Sequence, residues 1–494
     1  MSQINVTNLT FCYDGSYDNI FENVSFKIDT DWKLGFTGRN GRGKTTFFKL
    51  LMGEYPYKGS IVCDTDFEYF PFKVNNPEYF TIDIVREISP LSDDWEIMKE
   101  LNLLKVSEDV LYQQFFTLSN GEQTKVLIAA LFLKENSFLL IDEPTNHLDE
   151  EARETLCEYL NRKKGFILIS HDRSFLDRCI DHIIAINKTN IEVQKGNFSD
   201  WWTNKERRDE YEISQNEKLK KDIKRLSASA RQKAEWSDRV EKSKSGTTNS
   251  GSKLDRGYIG HKSAKMMKRA VSIKNRQNEM IERKTSLLRN IESKERLTIS
   301  PLKYHSNILC EITDLSVNYN DRIIFEDLSF NICSGDRIAL QGKNGSGKSS
   351  ILKLICGQKI PYKGTVKLSS GVIISYVSQN TDDLEGSLKD YAEKYGIELP
   401  LFLAILRKLD FSREQFEKSI SDYSSGQKKK VMLARSLCEK AHLYIWDEPL
   451  NFIDIISRMQ IEELLRECAP TMIFVEHDKM FCENIATKIM RIGE

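Results

Sequence analysis

The sequence predicts an α/β protein made of two tandem P-loop domains of one kind, joined by a long antiparallel α-helical hairpin linker. Three observations carry that prediction. A strand, a glycine-rich loop and a helix occur in that order twice, around Gly38 to Thr45 and around Gly342 to Ser349. The other chemistry-bearing motifs of the first copy return in the second at nearly constant separation, the mark of an internal duplication. Between the copies, Thr203 to Thr298 holds 26 Lys and Arg against 14 Asp and Glu, about +12, whereas the whole chain of 494 residues is −1. The flanks therefore carry about −13, and a neutral total conceals the kind of basic stripe that binds polyanions.

Composition sets further bounds. With 40% hydrophobic residues the chain can bury two sizeable cores. No run approaches the roughly 18 apolar residues of a membrane helix, so no transport path is expected from this chain. The start, MSQINVTNLT, lacks the charged and apolar segments of a secretion signal, which makes the location cytoplasmic by expectation. Ten cysteines without a C-x-x-C pair read as thiols rather than as disulfides or zinc ligands.

In chain order, Ile4 to Phe26 alternates apolar and polar residues as half-buried strands do. The short strand Leu34 to Thr37 then runs into the first glycine-rich loop and the helical stretch Thr46 to Leu51. In that context G-x-x-x-x-G-K-[ST] is a phosphate cradle. Gly38, Gly41 and Gly43, with Asn40 among them, let backbone N–H groups converge at a helix N-terminus. Lys44 would reach the β and γ phosphates, and Thr45, followed by Thr46, would hold Mg2+. The apolar strand Phe138 to Ile141 ends in Asp142-Glu143. Ligands of an open parallel sheet sit at the carboxyl ends of its strands, so Asp142 is placed for Mg2+ and Glu143 to polarise an attacking water. Phe166 to Ile169 brings His171 to the same edge, within reach of a γ phosphate. Ser119-Asn120-Gly121 opens the apolar helix Val126 to Leu133 and alone is only a helix cap.

The second copy supplies Gly342, Asn344, Gly345, Gly347, Lys348, Ser349 and Ser350 in its loop, Ser424 and Gly426 in its turn, then Asp447-Glu448 and His477. The separations are 304 for Lys44 and Lys348, 305 for Ser119 and Ser424, 305 for Glu143 and Glu448, and 306 for His171 and His477.

In this order and spacing the four motifs resemble the nucleotide-binding domains of the ABC ATPases, over almost all of both flanks. The resemblance implies two domains facing head to tail, paired within one monomer, each ATP held between one phosphate loop and the other domain's Ser-Gly turn. One ATP is then expected among Gly38 to Thr45, Asp142, Glu143, His171, Ser424 and Gly426. The other is expected among Gly342 to Ser349, Asp447, Glu448, His477, Ser119 and Gly121. Tyr13 and Tyr319 look like the family's adenine-stacking aromatics. Departures from the pattern are informative. Gln379 occupies the lid-loop position that joins the Mg2+ shell, but the first copy has Phe72 there; Asn120 replaces a glycine; and Asn451-Phe452-Ile453-Asp454 stands against Asn146-His147-Leu148-Asp149. ATP at both sites with unequal hydrolysis is the expectation.

The insert selects among ABC classes. Trp202 to Lys242 has no Gly or Pro and places Leu219, Ile223, Leu226 and Ala230 on one helical stripe. Glycines from Gly246 to Gly260 break it, and Ser263 to Leu297 resumes as helix. The expected domains are 1–198, 199–300 with a tip at about 243–262, and 301–494. This arrangement resembles the ABC-F translation factors, whose linker hairpin enters the ribosomal E site. The 45 residues from 73 to 117 leave no room for the arm of housekeeping members, and no extension is expected past Glu494. With DWKLGFTGRNGRGKTT and LYIWDEPLN, these traits look most like the Lsa-type resistance factors. That resemblance implies a 70S ribosome partner (23S rRNA and P-site tRNA) and protection against lincosamides, streptogramin A and pleuromutilins. The alternative is a housekeeping ABC-F factor without a drug role. At the tip, Lys244, Lys253, Arg256 and Lys262 would fix the loop on rRNA, and Leu254 or Tyr258 would perturb the drug pocket. The ATPase of an efflux pump would leave the basic insert unexplained. A DNA-repair ATPase would split a single domain around a longer coil, so neither membrane nor DNA is an expected partner.

Overall fold

The computed structural model describes residues 2–13, 19–146, 148–187, 190–242, 297–319, 322–343, 345–381, 384–411 and 413–492. The chain divides into two compact units, one of Met1–Trp201 with Lys294–Glu494 and one of Trp202–Ser293. The second half of the hairpin and the tip residues Lys244, Lys253, Leu254, Arg256, Tyr258 and Lys262 lie outside the described residues, as do His147 and Asn344.

In the first half, β1 (Gln3–Phe11), β2 (Phe21–Asp29), β3 (Lys33–Thr37), α1 (Lys44–Leu51), β4 (Lys58–Val62) and β5 (Asp66–Phe70) lead to the helical segment α2 (Thr81–Ile88), α3 (Asp94–Leu103) and α4 (Asn120–Phe132). Then β6 (Ser137–Asp142), α5 (Glu150–Asn161), β7 (Phe166–Ile169), α6 (Arg173–Cys179), β8 (His182–Asn187) and β9 (Asn190–Lys195) complete it. A sheet of order β5-β6-β7-β3-β8-β9 is parallel except for β9, and a three-stranded antiparallel sheet β2-β1-β4 accompanies it. Phe138 to Ile141 and Phe166 to Ile169 are buried throughout, as expected of strands covered on both faces. The site-bearing strands β6, β7 and β3 are immediate neighbours, so the loops after them open at one edge.

The linker helix α7 (Phe198–Lys242) spans 45 residues, about 67 Å at the rise of an α-helix. Its start is fixed locally. The Asn197 side chain accepts the Asp200 N–H at 2.9 Å while the Asp200 carboxylate accepts the Asn197 N–H at 3.2 Å, a reciprocal cap. The Ser199 N–H donates to Asp177 at 2.8 Å, and Phe198 and Trp201 are buried. Leu219 and Ile223 of the expected stripe are half-buried.

The second half repeats the plan: β10 (Ile308–Tyr319), β11 (Arg322–Cys333), β12 (Arg337–Gln341), α8 (Lys348–Ile355), β13 (Tyr362–Leu368), β14 (Ile374–Val377), α9 (Leu388–Lys394) and α10 (Leu399–Lys408). There follow α11 (Ser425–Cys438), β15 (Leu443–Asp447), α12 (Ile455–Cys468), β16 (Met472–Val475), α13 (Lys479–Ile485) and β17 (Lys488–Arg491). Its sheets are β14-β15-β16-β12-β17, parallel throughout, and β11-β10-β13. Among the described residues no helix is long and apolar enough to cross a membrane.

Candidate functional site

Both phosphate loops end on a glycine that caps the following helix in the left-handed region, Gly43 at φ 96° and Gly347 at φ 89°. A side chain there would also collide: a Cβ on Gly43 would lie 2.5 Å from Ile20 Cγ2, and one on Gly347 would lie 2.7 Å from Ile324 Cγ2. Lys44 Nζ donates to the carbonyls of Gly38 (2.7 Å) and Arg39 (3.2 Å) and to Asn40 Oδ1 (3.1 Å). Lys348 Nζ does the same to Gly342 and Lys343 at 2.7 and 2.8 Å. Each ammonium thus sits at the centre of its own loop, and burial lowers the pKa of both lysines. The Tyr13 hydroxyl bonds Thr46 Oγ1 at 2.8 Å, and its ring packs edge-on against Phe11 and Tyr55. That leaves it 40% exposed near the loop. Tyr319 closes β10, with its side chain outside the described residues.

The strand ends meet the loops as the spacing implies. Thr45 Oγ1 donates to Asp142 Oδ2 at 3.2 Å, and Ser349 Oγ donates to Asp447 Oδ1 at 3.2 Å. Glu143 and Glu448 both take the left-handed region, at φ 52° and 47°. A glutamate in that region is uncommon, and the same strain at both copies marks the turn that aims the carboxylates. His171 Nε2 lies 3.2 Å from Glu143 Oε1, and His477 Nε2 lies 3.4 Å from Glu448 Oε1. Ser119 and Ser424 each cap their helices through reciprocal bonds with Glu122 and Gln427.

The two halves are joined at the first loop. Asn40 Nδ2 donates to Phe452 O at 2.9 Å, and that same carbonyl would lie 2.8 Å from a Cβ on Gly426. The first phosphate loop, the second half's Asn451-to-Asp454 turn and the second signature glycine therefore stack together. Elsewhere Arg153 Nη1 donates to His477 O at 2.9 Å, and Lys343 Nζ approaches Glu151 at 3.6 Å. A small polar pocket is lined by residues of both halves, among them Glu143, Arg153, His171, Asn451, Arg458 and His477.

The two sites differ in proton affinity although their Asp-Glu motifs are identical. Burial and the neighbouring Asp142 push Glu143 up to about 8. Burial and the charges of Lys44 and Arg458 hold His171 well below the usual imidazole value. Burial also works against the charge on Glu448, but bonds from His477 and Gln379 outweigh it and its pKa is lowered. Gln379 Nε2 donates to Glu448 Oε2 at 2.8 Å and Asn451 Nδ2 donates to the same oxygen at 2.7 Å. At the equivalent lid position of the first copy, Phe72 has no amide to donate.

For a divalent cation the donor set fits. Asp447 Oδ2 is buried and makes no protein hydrogen bond, its Oδ1 already takes Ser349, and Gln379 keeps its carbonyl oxygen free of the Glu448 bond. Asp142 Oδ2 receives two hydroxyls, Thr45 and Tyr69 at 3.2 Å each.

The role of Asp454, in the turn Asn451 to Asp454, escaped the sequence reading. Asp454 is fully buried, pairs with Lys430 at 3.2 Å and raises the proton affinity of Lys44 across the halves. Burial opposes its charge, but Lys430 and the Ser457 N–H overcome this and keep its pKa low. The equivalence of Asp149 and Asp454, 305 apart, marks the position but not its burial or its pairing with Lys430.

A family model described as "ABC transporter" matches residues 21–146 and 325–451. The ribosome protection protein VmlR of Bacillus subtilis (strain 168) is 28% identical over 492 residues, 97% of this chain and 85% of that protein. The energy-dependent translational throttle protein EttA of Escherichia coli (strain K12) is 26% identical over 526 residues, 96% of this chain and 89% of that protein. Among solved structures, an archaeal ribosome recycling factor, aABCE1, in complex with a ribosomal stalk protein has a TM-score of 0.63 at 18% identity, covering 99% of this chain and 88% of that one.

Proposed function

The chain belongs to the ABC transporter family and is an ATPase with two of that family's domains in tandem, and from that premise we propose that it is an ATP-gated, ribosome-binding protection factor of the ABC-F type. The observation that carries this reading is the stack of Asn40, Phe452 O and Gly426 in a chain whose halves are separated by a 45-residue helix and its basic continuation. Nucleotide in such a stack holds two bodies together, and whatever the linker binds is gripped or released with them. A basic linker of about +12 suits rRNA and tRNA phosphates, bound in a salt-dependent and largely sequence-independent way. The similarity to VmlR and EttA, named for ribosome protection and translation, supports the ribosome as partner.

In this reading the cytoplasmic monomer binds ATP at two composite sites. The phosphate loops with Lys44 and Lys348 bind the phosphates, and the facing signature turns close each site. Mg2+ would be held by Thr45 and Asp142 at one site and by Ser349, Asp447 and Gln379 at the other; when bound, it neutralises phosphate charge. Glu448, ionised and fixed by Gln379 and Asn451, accepts the proton of the attacking water. His477 and His171 orient their glutamates. ATP binding closes the halves with the hairpin in the E site, and its tip dislodges lincosamides, streptogramin A or pleuromutilins. Hydrolysis reopens the halves.

Co-sedimentation with 70S ribosomes tests the gating. Glu143→Gln with Glu448→Gln should remain ribosome-bound in ATP and dissociate without it; release as fast as wild type would refute the cycle. A second reading, a housekeeping translation factor, draws on EttA. Expression of the chain should raise the inhibitory concentration of a pleuromutilin, and an unchanged value would favour that second reading.

A further inference from the structure

The two phosphate loops are copies in sequence, but the charges set against them are not. Asp410 follows α10 in the second half at φ 67°. Its Oδ1 lies 3.7 Å from Arg39 Nη1 and 3.7 Å from Arg42 Nη2, and both arginines belong to the first phosphate loop. One carboxylate therefore bridges two guanidiniums across the halves, with the Arg39 side chain only 10% exposed. The position 305 residues before Asp410 is Lys105, which follows α3 with the same left-handed turn, φ 53°, and is exposed. The loop residues equivalent to Arg39 and Arg42 are Lys343 and Ser346. The position after the helix thus holds an anion that meets two loop cations in one copy and an exposed lysine in the other.

Neighbouring positions differ in burial: Lys125 and Asp149, the equivalents of Lys430 and Asp454, are only half-buried. The Lys430–Asp454 pair at the first site has side chains only 5% and 0% exposed. Its α12 opens on the buried Ile455 and Ile456, where α5 opens on the exposed Glu150 and Glu151. Glu151 meets Lys343 at 3.6 Å with side chains 73% and 83% exposed, a pair that solvent screens.

We propose that Asp410 is a positioning residue that latches the first phosphate loop through Arg39 and Arg42, so that nucleotide leaves the second site first while the first site stays closed over its own. The charge difference makes opening directional. A closed first site serves as the hinge about which the second opens, and the order is fixed by side chains outside the reacting groups.

Nucleotide exchange in the free, full-length protein tests this, so the outcome is independent of the ribosomal reading. The Glu143→Gln, Glu448→Gln variant is loaded with a fluorescent ATP analogue and chased with ATP. Release should be biphasic, and adding Lys348→Ala should leave the slow phase alone. Asp410→Asn should speed that slow phase on the order of tenfold, whereas Asp410→Glu, which restores the anion, should keep it within about threefold. Lys105→Asp, a surface change that gives the first half the carboxylate Asp410 supplies in the second, should slow the fast phase. An unchanged slow phase in Asp410→Asn, equal acceleration by Asn and Glu, or an unchanged fast phase in Lys105→Asp would each overturn the proposal.

Discussion

Replacing the two glutamates one at a time should expose their different protonation. With its pKa pushed up to about 8, Glu143 is ionised in about a tenth of molecules at pH 7, while Glu448, lowered below the usual carboxylate value, is ionised in essentially all. A general base is worth roughly 10^2 to 10^4 in rate and acts only when ionised. At pH 7, Glu448→Gln should therefore remove most single-turnover hydrolysis, and Glu143→Gln should leave most of it. The sign with pH follows from the raised value: the ionised fraction of Glu143 grows as pH rises through 8. Between pH 7 and pH 9 the residual rate of Glu448→Gln should climb by about tenfold, from about a tenth ionised to about nine-tenths. The rate of Glu143→Gln should stay nearly flat over that range. The assay is quenched-flow release of labelled phosphate with enzyme in excess over ATP. Equal losses at pH 7, or a flat residual rate in Glu448→Gln, would refute the reasoning.

Two further outcomes follow from particular contacts. Arg173 of α6 is bonded to Glu462 of α12 with side chains 6% and 8% exposed, and Asn484 donates to the same carboxylate at 2.6 Å. Arg173→Met strands a buried charge and should cost about 3–5 kcal/mol in urea unfolding; adding Glu462→Gln, which keeps an oxygen for Asn484, should recover most of it, and a loss in the single variant under about 1 kcal/mol would contradict this account. Phe72→Gln supplies the first site with the donor that Gln379 gives Glu448, and in a Glu448→Gln background it should raise turnover roughly fivefold, about 1 kcal/mol of barrier; no change would mean that Phe72 is not what slows that site.

Much of the molecule was legible in the chain because its signals are local. A glycine-rich loop between strand and helix, carboxylates at the end of an apolar strand and a 305-residue repeat each lie within short windows. The loops and strand ends fold as those windows imply, and the linker helix begins at Phe198, four residues before the Trp202 read from composition. The roles of Asp410, Asp454 and Arg458 were not legible. They approach the first site from about 370 to 415 positions away in sequence, and no local pattern records which face meets which. Nor could identical Asp-Glu pairs be told apart. Their protonation depends on how deeply each is buried and on which amides and cations converge on it.

The sequence by itself determined that there are two ATPase domains with a basic segment between them that opens as a long helix, because hydrophobic period, glycine placement and charge are properties of short stretches. Phe72 against Gln379 already pointed to unequal sites, but only the tertiary structure showed how the glutamates differ, because dielectric burial and contacts across the halves belong to the assembled surfaces and to no single segment.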